Sequence, residues 1–286
     1  MKKVFPFLLL NLLFSVIYAK SLEVDLNTLN SHLQEYKILD ARSEELYTKS
    51  HINGAINFPI NMTYANLKLN GKIANPLQMQ QLLQKLGLDI DDNVVIYDDG
   101  SFTNAARIFW ALEVYGFKDV KLLETGFSHW RELHYPISNT TPKLKQSNYI
   151  ATINNQKLAT KFTTLLATKN PNYVIVDART LPAYLGKISS AKRYGHIPKA
   201  INIPAHANIS KDQNSSHIKS INSLKNLYSK IPNTKKVILY CTIGKASATN
   251  YFALRQLGYD VSNYDASWKE WGNDFSLDIE NPSAQK

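Results

Sequence analysis

The sequence predicts an α/β fold of two tandem domains, each a mainly parallel sheet flanked by helices. Three observations predict it: a length of 286 residues, a long internal repeat, and short apolar strands alternating with helical patterns inside each repeat. At about 100–200 residues per domain, the length suits two domains better than one. A composition of 44% hydrophobic and 20% charged residues is that of a folded chain, not a disordered one.

The repeat shows first in two matching segments. Each opens with an apolar strand ending in Asp-Ala-Arg, at Asp40-Ala41-Arg42 and at Asp177-Ala178-Arg179. Each then reaches a His-Ile pair, at His51 and at His196, and a short Ala-Ile-Asn strand. The second copy takes a longer path from Asp to His, which places an insertion near Gly186 to Arg193. The match resumes at Asn93–Tyr97 and Lys236–Tyr240, two short apolar runs that read as buried strands. A Gly-containing turn and a helical pattern follow each. The first helix is expected near Asn104 to Tyr115, stopped by Gly116, and the second near Ser247 to Leu257, stopped by Gly258. Glycine at that point supplies a left-handed cap. A further strand and a tryptophan, Trp130 or Trp268, complete each copy. Strands alternating with helices imply parallel pairing with helices on both faces.

Residues 1–19 read as an export signal: basic Lys2 and Lys3, an apolar run from Phe5 to Ile17, and a small residue at a cut after Ala19. The run is short for a membrane span. On this reading the mature protein is exported, to a periplasm, with no stable membrane insertion after cleavage. The first domain is expected over residues 20–137, a polar linker over 138–146 and the second domain over 147–286. The formal charge is +10. The basic residues are scattered, with no run beyond Lys235-Lys236, so the charge argues for attraction of small anions and against a nucleic-acid partner.

Cys241 is the only cysteine. It can form no internal disulfide, and a zinc site built on cysteine clusters is excluded by count. It follows the strand Val237 to Tyr240 and precedes Thr242-Ile243-Gly244-Lys245-Ala246-Ser247 and a helix. That is the C-terminal end of a parallel strand, where open α/β sheets bind ligands. The turn is expected to aim backbone N–H groups inward, and the helix start adds partial positive charge. Both stabilise an anion, which suits a thiolate nucleophile. Gly244 lets the loop curl, and Lys245 adds a full positive charge. A lone cysteine elsewhere would read as a small buried apolar residue; the strand–Cys–Gly loop–helix setting reverses that. Asp98 stands at the equivalent place in the first copy, so that copy is expected to be catalytically silent.

These features resemble the tandem-domain rhodanese family of thiosulfate and 3-mercaptopyruvate sulfurtransferases. The motifs are the two Asp-Ala-Arg triplets, Ser50-His51-Ile52-Asn53-Gly54-Ala55, Val95-Ile96-Tyr97-Asp98-Asp99-Gly100, Gly195-His196-Ile197-Pro198-Lys199-Ala200, the Cys241 loop, and the run Tyr264 to Gly272. The resemblance implies a two-step transfer. Cys241 takes the outer sulfur of a small anionic donor as a persulfide and passes it to a thiol or to cyanide. It implies no metal and no organic cofactor. The loop from Thr242 to Ser247 would bind the donor.

The chain departs from the family pattern in places. Thiosulfate-type loops carry basic residues directly after the cysteine, where this chain has Thr242 and Ile243. Mercaptopyruvate-type loops carry Gly then Ser, and Ile243 lacks that hydroxyl. Thiosulfate is therefore the favoured donor. The family's substrate arginine falls at Ala183, and Lys187, Lys192 or Arg193 of the insertion could replace its charge; Arg193 is the candidate. Two rivals stand beside this reading. A Cys-based phosphatase needs an arginine six residues after the cysteine to grip phosphate, and Ser247 is there instead. A non-catalytic binding or redox-partner module would not need the intact Cys241 loop. Asp177 with Arg179, His51, His196 and the tryptophans read as structural.

Overall fold

The computed structural model describes residues 21–66, 71–212 and 215–285. The expected export signal lies outside the described residues. Among them, no helix is long and apolar enough to cross a membrane.

Two five-stranded sheets form the frame, and every neighbouring pair in each is parallel. The first runs Glu23–Val24, Val120–Leu123, Val94–Tyr97, Lys37–Asp40, Ile56–Asn57 from edge to edge. The second runs Leu158–Ala159, Val261–Tyr264, Lys236–Tyr240, Tyr173–Asp177, Ile201–Asn202. The two orders match strand for strand, so the sequence repeat is a repeat of topology. The central strands are the apolar runs: Val94 to Tyr97 and Val237 to Tyr240 are all buried, as strands covered on both faces must be.

The helices Thr103–Val114 and Ser247–Gln256 follow these central strands and pack on each other. Their ends lie within a residue of the expected ones. Phe109 meets Phe252 edge to face at 4.9 Å, and Arg255 reaches Glu113 at 2.8 Å. Most of each helix is buried because each faces its own sheet on one side and the other domain on the other. One apolar cluster therefore runs from Leu39 and Ile96 of the first sheet to Val176 and Leu239 of the second.

The repeat extends to single hydrogen bonds. Arg42 donates through Nη2 to Asp40 at 2.6 Å and Arg179 to Asp177 at 2.6 Å. Tyr97 and Tyr240 each donate a hydroxyl to the same carboxylates, also at 2.6 Å. Burial and the adjacent Asp177 hold the Tyr240 hydroxyl well above its ordinary pKa. His51 and His196 each donate from Nδ1 to a tyrosine carbonyl at 2.8 Å and stack on that tyrosine's ring, Tyr47 and Tyr184 respectively. These groups fix the loops at the strand ends. The antiparallel pair Ile209–Lys211 and Ser216–Ile218 answers to the first copy's antiparallel bridge between Tyr64 and Ile73; each is closed by the next amide, Lys219 to Asn208 O at 2.9 Å and Ala74 to Thr63 O at 2.8 Å.

Candidate active site

Cys241 emerges at the C-terminal end of the strand Lys236–Tyr240. Its amide and that of Gly244 both donate to Ser267 Oγ, at 3.1 and 3.0 Å. Ser267 Oγ in turn donates to the Tyr264 carbonyl at 2.6 Å. The carbonyls of Cys241 and Thr242 accept from the amides of Trp268 and Lys269, both at 3.0 Å. The loop is thus strapped by its carbonyls to the start of the helix Ser267–Trp271. Its remaining amides, at Thr242, Ile243, Lys245, Ala246 and Ser247, donate to no acceptor among the described residues. Amides left free by such a turn form a concave donor set for an anion.

Gly244 is required twice over. Its φ is +70°, and a Cβ there would lie 2.5 Å from Asp265 Cα and 2.7 Å from Asp265 O. Its carbonyl is held from behind by Arg107 Nη1 at 3.1 Å and Asn263 Nδ2 at 3.0 Å.

The loop opens into a cleft of about 1320 Å³ between the domains. Cys241, Thr242, Ile243, Lys245 and Ala246 line it on one side, and Asp99, Gly100, Ser101 and Thr103 of the first domain on another. Cys241 is 2% exposed, so a reactant meets the thiol at the bottom of a recess. Lys245 and Lys211 bring positive charge to the walls, whereas the Arg179 guanidinium, also in the lining, is committed to Asp177. Among the described residues, no group of His, Cys, Asp and Glu is arranged to hold a metal.

Three sequence-based expectations change here. The Arg193 guanidinium does not line the cleft. It donates to the carbonyls of Leu277 at 2.6 Å, Trp271 at 2.8 Å and Asp274 at 2.5 Å, and so pins the C-terminal segment. The insertion instead sends Ile188, Ser189 and Ser190 into the cleft beside Ala183, so hydroxyls stand where a cation was expected. Ser247 Oγ is buried and donates to Asn263 Oδ1 at 2.7 Å, which leaves only its amide to serve the loop, and the side of Gly244 faces Asp265 rather than the cleft. The sequence offers no sign of Arg107, and Ser267 and Asp99 stand in it only as parts of motifs, with no role at the site. Arg107 and Asp99 come from the first domain, and nothing local signals that packing.

The first copy shows what such a loop can hold. The buried Asp98 carboxylate accepts the amides of Gly100 at 2.8 Å, Phe102 and Asn104 at 3.1 Å, and Ala105 at 3.2 Å. Burial, with Asp99 beside it, pushes the Asp98 carboxyl above its ordinary value, and the amides act against that. A carboxylate is thus built into the position that Cys241 takes in the second copy.

Comparison with known proteins bears on the family and the fold. The Rhodanese-like domain family matches residues 25–133 and 159–274. A candidate thiosulfate sulfurtransferase of Haloferax volcanii is 30% identical over 275 residues, covering 90% of this chain and 95% of the relative. A candidate thiosulfate sulfurtransferase of Mycobacterium leprae, SseA, is 31% identical over 269 residues, covering 88% and 90%. The crystal structure of SseA from Escherichia coli, described as a 3-mercaptopyruvate sulfotransferase, superposes with a TM-score of 0.77 at 24% identity, over 87% of this chain and 99% of that one. Two matched segments, two sheets of one topology and full-length relatives lead to one conclusion: the chain belongs to the rhodanese family, as a tandem pair of rhodanese-like domains.

Proposed function

We propose that the protein is a sulfurtransferase that carries sulfur on Cys241, with thiosulfate as its donor. The observation that carries this reading is the set of free loop amides around a cysteine at the floor of a cleft. The Cys241 thiolate attacks the outer sulfur of thiosulfate, the S–S bond breaks, and sulfite leaves with the electron pair. The resulting persulfide holds its outer sulfur among the loop amides. Cyanide or a thiolate then attacks that sulfur, and the Cys241 thiolate returns with the electrons of the broken bond. Lys245 and Lys211 suit a doubly charged donor, and the absence of a hydroxyl at Ile243 disfavours 3-mercaptopyruvate. The names of the two relatives support the same choice, and the Escherichia coli enzyme represents the alternative.

The test is to weigh the intact protein after incubation with thiosulfate. The expected result is a gain of one sulfur, removed by cyanide and absent in Cys241→Ser. No gain with thiosulfate, with loading from 3-mercaptopyruvate, would reverse the donor assignment. No gain with either would leave a binding module. Residues 1–19 further support export to a periplasm, which N-terminal sequencing of the native protein would test by a start at Lys20.

A further inference from the structure

Arg107 lies on the first domain's helix Thr103–Val114, yet it serves the second domain's loop. It is fully buried and forms no ion pair with a described residue. Its guanidinium donates to Gly244 O at 3.1 Å, to Gly71 O at 3.5 Å and to Thr63 Oγ1 at 3.3 Å. It lies over the rings of Tyr64 at 4.4 Å and Trp110 at 4.3 Å. A buried, unpaired cation is costly, so its place between the domains calls for a physical reason.

The same region binds the two domains at the loop itself. Gly71 packs so closely on Ile243 that a Cβ at Gly71 would lie 2.6 Å from the Ile243 side chain and carbonyl. The Ile73 amide donates to the Asp265 carboxylate, which also accepts the Ala266 amide at 2.8 Å. The first domain therefore touches the Cys241 loop at Ile243, at Gly244 and at its neighbour Asp265.

We propose that Arg107 is a positioning residue for Cys241: by clamping the Gly244 carbonyl against the first domain, it turns the loop amides toward the sulfur and places a fixed positive charge behind it. This gives the silent domain a task in the chemistry. The inference takes Cys241 as the nucleophile proposed above. Drawing the Gly244 carbonyl backward leaves the opposite side of the turn, its N–H groups, to face the cleft. The charge acts from the protein side, where low polarity preserves it. Burial works against the guanidinium's charge, and nearby Tyr64, Asp265 and Cys241 favour it. On the cleft side the charged or titratable groups are Arg179, Lys245, Lys211, His206 and Asp99.

The experiment reads Cys241 alkylation at pH 7 by intact mass, with neutral iodoacetamide and anionic iodoacetate. Arg107→Gln is expected to slow both reagents equally, by about tenfold, because it alters the sulfur's own environment. Arg107→Lys, which keeps the charge but loses the planar clamp, is expected between the two. Lys245→Gln, on the reagent's side, is expected to slow iodoacetate more than iodoacetamide. Wild-type rates in a folded Arg107→Gln protein, or in Arg107→Lys should Arg107→Gln not fold, would overturn the assignment. So would an Arg107→Gln defect confined to iodoacetate. Alkylation needs no sulfur donor. A protein that shows these rates but never loads sulfur keeps this inference and loses the proposed function.

Discussion

Ser267 is the hinge on which Cys241 hangs. One hydroxyl oxygen accepts the amides of both Cys241 and Gly244 and donates its own O–H to Tyr264 O. Ser267 pays for this place with a φ of +55°. Ser267→Ala leaves two buried amides without a partner, which costs about 1–3 kcal/mol per lost partner group. The expected outcome is a lower unfolding midpoint together with sulfur loading slowed by about tenfold, since the sulfur shifts within its cradle. Mass spectrometry against time and a denaturant titration check both. Normal loading in this variant would show that the hydroxyl is not the hinge.

Gly244 and Gly258 separate strain from collision. Both have positive φ, +70° and +80°, but only Gly244 has backbone where a Cβ would go. Gly258→Ala carries the left-handed penalty alone, about 1–2 kcal/mol, with loading per folded molecule unchanged. Gly244→Ala must also push the loop off Asp265, and a shift near 1 Å at a reacting group costs about 100-fold in rate. Comparing the two loading rates at equal folded fraction is the measurement.

Arg193 is a structural clamp in this geometry. Arg193→Ala is expected to destabilise the protein by about 2 kcal/mol, from lost bonds between a charged donor and carbonyls. The KM for thiosulfate is expected to stay within twofold of wild type. A selective rise in KM, with the unfolding midpoint unmoved, would restore the substrate role that the sequence suggested.

Glu23 makes stability depend on pH. Burial pushes its carboxyl up to about 7, and nearby Glu124 adds to this while Gln256 opposes it. The folded state then keeps a proton that the unfolded chain has released, so stability falls as pH rises from about 4.5 through 7. The loss is roughly 3 kcal/mol across that window. Glu23→Gln removes the charged form and is expected to match wild type at pH 4.5 and to exceed it at pH 8. Urea midpoints across this range check the sign; parallel curves would refute it.

Much of this architecture was legible in the chain. Asp40-Ala41-Arg42 and Asp177-Ala178-Arg179 are local, because each arginine folds back onto an aspartate two residues away. The ends of the central helices were legible from Gly116 and Gly258, and the Cys241 loop from its place between strand and helix. What escaped was long-range. Arg193 looked free because its carbonyl partners lie about eighty residues downstream. Arg107 carried no signal of its own within the helix pattern, since its partner Gly244 is in the other domain. The hairpin Ile209–Ile218 and its counterpart bridge Tyr64–Ile73 escaped too, because the two segments share no motif in the sequence.

Asp98 and Cys241 are two answers to one structural demand. A side-chain carboxylate is a resident anion that never departs, so the loop around Asp98 is complete at all times. On the proposed chemistry, the loop around Cys241 is complete only while a negative sulfur sits among its amides. On that chemistry one copy keeps its loop filled by its own side chain through every cycle, while its twin's loop fills and empties with the sulfur it carries. Hydrogen exchange would register the difference as slow amides after Asp98 and faster, load-dependent amides after Cys241.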